Sequence, residues 1–517
     1  MSEVCSFLEK FASVITGVLS CFDRVIFKGY LPLCRLRELE RFVDCELKMR
    51  RQDFIKIQAP RYAEQLVEHA QHYAKRHGRP YEYHGAKIDK ERWAQRHLRA
   101  APVTTGLIAV LCTKEVCQTF QLVRGPRRPE FRPAQVPQRV LYYYFLDAVL
   151  GLIHVRVQTW LPFTVQVYVN GHDYLARQMA KKGLGFVQQD NAFVRLDDPA
   201  QAQKMADKFA ELNWPKILAR YADIVNPLRS EIVPQQSYYW VADQAEFATD
   251  VLFASKNALR ELFPRLLEFA WQTFSPKNVL GFLGRKLHPS FNGEVLTDVK
   301  TDREPGMRIK HSVKRNWLKL YDKFGRILRV ETVINQPGEF KIYRECHHQD
   351  GTRSWAWRPM PKGVGNLHHY QRHALACNQR YLEALSQVED PTPAYRELAR
   401  LTEPQRHGTR RSTGFNPARR EDLQLFAAVL DGDHIVQGFR NQDIRSALHG
   451  PHATTADRRR TSAAVGRLLK RLHIRGFIAK IPHSRRWKVT TTGRNVLGHA
   501  LRLYRCDWPQ TTKPLAM

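Results

Sequence analysis

The chain predicts an α+β protein with a helical N-terminal region, an antiparallel-sheet body and a small C-terminal module of helices and one hairpin. Three observations carry this reading. Residues 35–50 and 59–76 place apolar side chains three to four apart, the period of an amphipathic helix. From Gly106 the pattern changes to short β-type runs bounded by turn residues. After Glu421 the order becomes helix, helix, helix, hairpin, helix.

Residues 1–100 are assigned to the helical region, in which Phe11 to Phe22 (FASVITGVLSCF) is expected as a buried helix. Phe22 to Pro32 is a short β-like run ending in a turn. Residues 101–225 form a first α+β unit, with five strand-like runs between Gly106 and Asn170 and helices at 172–182 and 199–212. Residues 226–389 form a second β-rich unit with flanking helices. It begins with a helical stretch over Ala245 to Leu283 and continues as a meander from Gly293 to Arg344. Turns are expected at Glu304-Pro305-Gly306, at 322–325 and at Gln336-Pro337-Gly338. Asn366 to Val388 is helical, residues 390–416 are a linker, and residues 417–505 are the C-terminal module.

In that module, Asp422 to Leu430, Asn441 to His449 and Asp457 to Leu472 are the three helices. The third sets Ala464, Leu468, Leu469 and Leu472 on an apolar face, with Arg458, Arg459, Arg460, Arg467, Lys470 and Arg471 largely elsewhere. Two strand-like runs, Phe477 to Ile481 and Trp487 to Thr490, flank a basic turn. This order resembles a winged helix, and the segment from Ile474 to Leu497 is similar to the wing and closing helix of MarR-type regulators. The resemblance covers roughly Glu421 to Tyr504 and implies contact with duplex DNA. A helix fits the major groove, and a hairpin carrying Arg485, Arg486 and Lys488 reaches the flanking phosphates. A protein-binding winged helix with a solvated basic face is the alternative.

Charge points the same way. The formal net charge is +32, of which residues 401–517 contribute +14 (22 basic against 8 acidic side chains). Phosphate backbones are the usual partner of such a surplus, DNA ahead of RNA. No long apolar segment suggests a membrane partner, and no leader peptide is recognisable, so a cytoplasmic protein is expected. The nine cysteines are scattered without a C-x-x-C pair, which argues against a zinc ribbon or a disulfide framework.

The densest chemistry lies in NWLKLYDKFGRILRVETVIN. Alternation places Lys319, Tyr321 and Lys323 on one face of a strand, and Arg329 and Glu331 on one face of the next. Cations beside a tyrosine favour its phenolate and would neutralise a phosphoryl group in transfer. The Y-D-K strand followed by R-x-E resembles the Rep_trans type of rolling-circle replication initiators, related to HUH endonucleases. That resemblance spans about Glu294 to Asn335. It implies Tyr321 as nucleophile and Glu331 as ligand of a divalent metal, Mg or Mn, while the charge argument makes Lys323 and Arg329 the catalytic cations beside that tyrosine. The family's His-hydrophobic-His pair has its nearest counterpart in His154-Val155-Arg156, with Gln158 as substitute ligand. Asp298 and Glu294 are spare carboxylates. A solvated cross-strand cluster of low energetic value is the alternative.

Other features are weaker. Asp23 is a lone carboxylate of the kind used by RNase H-like transposases. Asn170, His172 and Asp173 open a helix whose N-terminus could take a phosphate. The strands Tyr142 to Phe145 and His154 to Trp160 could present a base-stacking face, although core packing explains most of these aromatics. Cys346, His347 and His348 lie together without a second cluster. The whole chain also resembles a widespread bacterial family, which implies a bacterial protein and no mechanism. The expectation is a bacterial DNA-binding protein of a mobile element or plasmid that nicks or transfers a strand through Tyr321. The alternatives are a non-enzymatic regulator or RNA-binding protein, and an RNase H-like transposase.

Overall fold

The computed structural model describes residues 5–85, 88–126, 128–234, 236–286, 288, 291–300, 307–348, 350–388, 400–407, 410–417, 419–451 and 454–502. The expected turn at Glu304-Pro305-Gly306, much of the 390–416 linker and the end of the C-terminal module after residue 502 lie outside them.

Mixed helix and sheet is what the chain forms, and its centre is one sheet of eleven strands. In chain order these are β1 (Ile15–Tyr30), β2 (Tyr81–Tyr83), β3 (Gly106–Val123), β4 (Glu130–Asp147), β5 (Gly151–Gln158) and β6 (Val165–Asn170). A separate hairpin follows, β7 (Phe186–Gln189) and β8 (Ala192–Leu196). The sheet resumes with β9 (Tyr239–Phe253), β10 (Val295–Lys300), β11 (Arg308–Val313), β12 (Asn316–Lys323) and β13 (Ile327–Ile334). Across the sheet the order is β10-β11-β12-β13-β9-β1-β6-β5-β4-β3-β2. Among these described strands only β2 with β3 is parallel.

This architecture corrects three expectations. Residues 1–100 are not simply helical, because β1 is a sixteen-residue strand at the sheet's centre and the N-terminal helix spans only Ser6–Lys10. The run Ile15 to Phe22 is mostly apolar and is buried without a break from Leu19, where the central strand is covered on both faces, and such a run has no period to separate it from a buried helix. Its β-branched Ile15, Thr16 and Val18 decide for the strand. For the same reason the stretch from Ala245 begins as strand β9, and helix starts only at Lys256. The two β-units share one sheet, because β9 pairs with β1 on one side and with β13 on the other.

The sheet has two unlike faces. On one, Ser20 hydrogen-bonds Thr249 at 2.9 Å, and Asn378 bonds both Thr249 (3.1 Å) and Thr332 (2.6 Å). Asn378 belongs to the helix Leu367–Leu385, so that helix packs here. Alternation sends Glu246, Asp250, Arg329 and Glu331 to the opposite face. There the hairpin β7–β8 reaches over them through Asn191.

The C-terminal residues build their own core from Leu401, Phe415, Phe426, Ile444, Val465, Leu469, Leu472 and Leu497. Its helices are Arg420–Val429, Asn441–His449, Thr455–Ile474 and Thr491–Arg502, with strands Ile478–Lys480 and Trp487–Val489 paired between the last two helices. Leu401 and Phe415 in this core show that the end of the expected linker is folded, as does a short pairing of Gln405–His407 with Arg410–Ser412. In the third helix Val465 is buried, whereas Ala464 and Leu468 are half-buried, a small rotation from the expected face.

Candidate functional site

A β-bulge builds the centre of the site. The pairing of β1 with β9 shifts between Phe22 and Arg24, which face Phe247 and Glu246. Asp23 is therefore the extra residue of β1, and a bulge is a device for re-aiming one side chain. The helix Gly171–Lys181 starts beside it. A Cβ on Gly171 would come within 2.1 Å of the Phe22 carbonyl oxygen, so only glycine allows this approach. The next residue, His172, is fully buried and sets Nδ1 3.2 Å from Asp23 Oδ1.

Arg329 on β13 organises the carboxylates. It donates from Nε and Nη2 to the two oxygens of Asp250 at 2.6 and 2.7 Å, and from Nη1 to Asp23 Oδ1 at 3.0 Å. Its Nη2 also reaches the Asn191 carbonyl at 2.7 Å and lies 3.1 Å from His172 Nε2. A paired, bidentate guanidinium of this kind is how a buried charge is tolerated. Alongside, Glu331 accepts from Tyr321 Oη at 2.6 Å and from Lys319 Nζ at 2.9 Å. Glu246 accepts from Arg24 at 2.8 Å.

Among the described residues, Asp23, Glu246 and Glu331 are the one group of three or more acidic, histidine or cysteine side chains placed to share an ion. Their ligand oxygens lie within 4.8 Å of one another. Opposite ligands of a six-coordinate hard cation are about 4 to 5 Å apart, twice the usual metal–oxygen distance. All three are nearly inaccessible, with exposures of 7%, 3% and 1%.

The titration behaviour follows from burial and neighbours. Burial alone would raise the Asp23 carboxyl, but Arg329 and His172 hold it far below the usual carboxylate range. Asp250 meets the same opposition and settles at about 2. Burial and the adjacent Glu331 push Glu246 up to about 7. Burial lowers Lys323 to about 8, helped by Arg329. Tyr321 is raised well above 10, first by burial and then by the Glu331 carboxylate that takes its proton's hydrogen bond. That reverses the expected phenolate. Neighbouring cations are present, but a 9% exposed ring donating to a carboxylate is held neutral.

The hairpin residues come together as their alternation requires. Tyr321 faces Arg329, and Lys319 faces Glu331, in the β12–β13 register. His154 and Gln158 do not join them. They lie on β5, four strand positions from β13, a separation of roughly 19 Å at the usual strand spacing. His154 stacks on Tyr168 with ring centroids 4.7 Å apart. Gln158 donates to the carbonyls of Leu161 and Gln118. Asn170 uses its side chain to cap the helix, accepting from the backbone N–H of His172 and Asp173, which removes the expected phosphate cradle. Sequence reasoning missed Glu246, Asp250 and His172 as members of this centre. The signal was two carboxylates four apart in an otherwise apolar β-type run.

On the C-terminal module, Arg458, Arg459, Arg460, Arg467, Lys470, Arg485 and Lys488 are exposed. Two others serve the fold. Arg471 donates to the carbonyls of Thr413 and Gly414 and lies over the Phe415 ring, and Arg486 donates to those of Gln437 and Gly438. Among the described residues no helix is long and apolar enough to cross a membrane.

No protein-family model, no curated protein and no solved structure matches the chain.

Proposed function

We propose that the protein binds duplex DNA through a C-terminal winged helix and carries out divalent-metal-dependent phosphodiester chemistry in its body. The observation that carries the second half is the convergence of Asp23, Glu246 and Glu331 from three neighbouring strands. All-oxygen donors suit Mg²⁺ or Mn²⁺, and such an ion, when bound, supplies Lewis-acid stabilisation and an activated water. Arg24 and Lys319, partly exposed at the edge of the cluster, would meet the phosphate. Tyr321 acts here by orienting Glu331, not as a nucleophile. The first half is supported by the exposed Arg458, Arg459 and Arg460 in the first turns of the third helix, and by Arg485 and Lys488 at the hairpin.

A second reading is favoured by burial and charge balance. Asp23, Asp250, Glu246 and Glu331 are matched by Arg329, Lys319, Lys323 and Arg24, so the cluster can be a closed ionic core in a non-enzymatic DNA-binding regulator. Mn²⁺ titration of the full chain, followed by its electron-spin signal, separates the two. The catalytic reading expects one bound ion and plasmid nicking in Mg²⁺ or Mn²⁺, both lost in Asp23→Asn and Glu246→Gln. A folded protein that binds duplex DNA but neither holds Mn²⁺ nor nicks would leave the regulator.

A further inference from the structure

Outside the large sheet, Lys341–His347 (β14) and Arg353–Pro359 (β15) form a two-stranded hairpin that turns aromatic rings outward. Tyr343, Trp355 and Trp357 are 53%, 61% and 66% exposed. Tyr343 faces Trp357 across the ladder, and Glu345 faces Trp355, so the three rings share one face. The Tyr343 ring centroid lies 5.6 Å from that of Trp355 and 5.8 Å from that of Trp357. The other face is anchored: Ile342 and Cys346 are buried, and Met360 donates its N–H to the Phe340 carbonyl at the root.

Cross-strand aromatic pairs stabilise a hairpin, which accounts for their contact with one another. It does not account for three rings whose outer surfaces stay in water at a cost in free energy. The surrounding charge identifies what would cover them. Lys341 and Arg353 share the ring face with Glu345, which lies 3.6 Å from Arg353, and the exposed Arg358 and half-buried Arg344 flank the rings from the other face. A second copy of the chain would bring two cationic hairpins together. An unpaired nucleic-acid strand offers flat apolar bases to the rings and phosphates to the cations, and base–aromatic stacking tolerates any sequence.

We infer that the β14–β15 hairpin grips unpaired bases, so that the nucleic acid this protein engages includes a single-stranded segment beside the duplex. The inference rests on the nucleic-acid reading above and adds the form of the substrate. It concerns neither the acidic centre nor the C-terminal module.

Anisotropy of a labelled oligothymidylate of about 20 nucleotides, long enough to cover one such site, tests it on the full chain, with a labelled duplex in parallel. Trp355→Ala/Trp357→Ala should weaken oligothymidylate binding by about tenfold or more and leave duplex affinity unchanged. Trp355→Phe/Trp357→Phe should restore single-strand binding while removing the tryptophan quench that accompanies it. Single-strand affinity unchanged in a folded alanine variant would overturn the inference. So would a wild-type protein that binds duplex but not oligothymidylate, and both results leave duplex binding standing. Failure of the wild type to bind either probe would sink the nucleic-acid reading itself. An alanine variant that loses a dimer by light scattering, with unchanged oligothymidylate binding, would assign the rings to a second copy.

Discussion

Arg329 Nη1 donates to Asp23 Oδ1 at 3.0 Å although 306 residues separate them in the chain. The bond ties the first strand of the sheet to β13 across the intervening β9, whose Asp250 takes the other side of the same guanidinium. One side chain therefore closes the charge balance at the place where both halves of the sequence meet.

Removing that cation leaves Asp23 and Asp250 buried without their partner. Arg329→Met is expected to cost about 3–5 kcal/mol of folding stability, the usual penalty for breaking a buried pair from one side. Arg329→Lys should recover only part of it, because an ammonium cannot serve two carboxylates in a fixed fork. Urea midpoints at constant slope measure this, and a loss under about 1 kcal/mol would contradict the assigned role.

Tyr321→Phe deletes a hydroxyl that donates to Glu331 at 2.6 Å. The expected stability loss is about 1.5–3 kcal/mol, typical of a hydrogen bond to a charged group. No SDS-stable protein–DNA adduct should form with the wild type in Mg²⁺ or Mn²⁺, and any nicking should survive in the variant. An adduct that disappears in Tyr321→Phe would restore the tyrosine as nucleophile.

Glu246 titrates at about 7 in the folded protein, above the 4.5 of an ordinary glutamate. Between those two values the folded state holds a proton that the unfolded chain has released. Stability from this group is therefore fully present below about 4.5 and declines as pH rises through 7. In Glu246→Gln that decline should flatten, which thermal melts from about pH 5 to about pH 8, across the rise from 4.5 to about 7, would reveal. Because an ion competes with the same proton, Mn²⁺ affinity should climb by about tenfold per pH unit below 7 and level off above it. Binding independent of pH would exclude Glu246 as a ligand.

The C-terminal arginines divide into two kinds with opposite expected signatures. Neutralising Arg458, Arg459 and Arg460 should weaken duplex binding and lower the salt slope by about one for each phosphate left unneutralised, with no effect on melting. Arg471→Ala and Arg486→Ala should destabilise the module instead, because each leaves backbone carbonyls without their donor. Equal effects of both sets on the salt slope would refute the division.

Local patterns made much of this legible. The helix Ala59–Arg76, the strands Gly151–Gln158 and Val165–Asn170 and the facing of Tyr321 with Arg329 follow from a repeat of 3.6 or 2, which records one buried face, whereas the five runs expected between Gly106 and Asn170 are four strands because the first two join in β3. Central strands erase that record. Leu19 to Phe22 and Ala245 to Phe253 are covered on both sides, so their side chains carry no alternation and both stretches read as helix. The acidic centre is hidden for a related reason. Glu331 is visible beside Tyr321, but Asp23 and Glu246 join it only through strand order and a bulge, which are long-range properties of the sheet. His154 misleads in the opposite sense, since a motif-like spacing says nothing about a strand being four places away.

The central position of β1 also governs how the chain can be made. Its neighbours are β6 and β9, and β9 ends at Phe253. During synthesis, which proceeds at about 5–20 residues per second, Ile15 to Phe22 must wait many seconds for a partner on its β9 side. A sticky, unpaired strand is an aggregation hazard over such an interval. The body should thus depend on chaperones that shield nascent chains more than the C-terminal module does, whose partners lie close together in sequence.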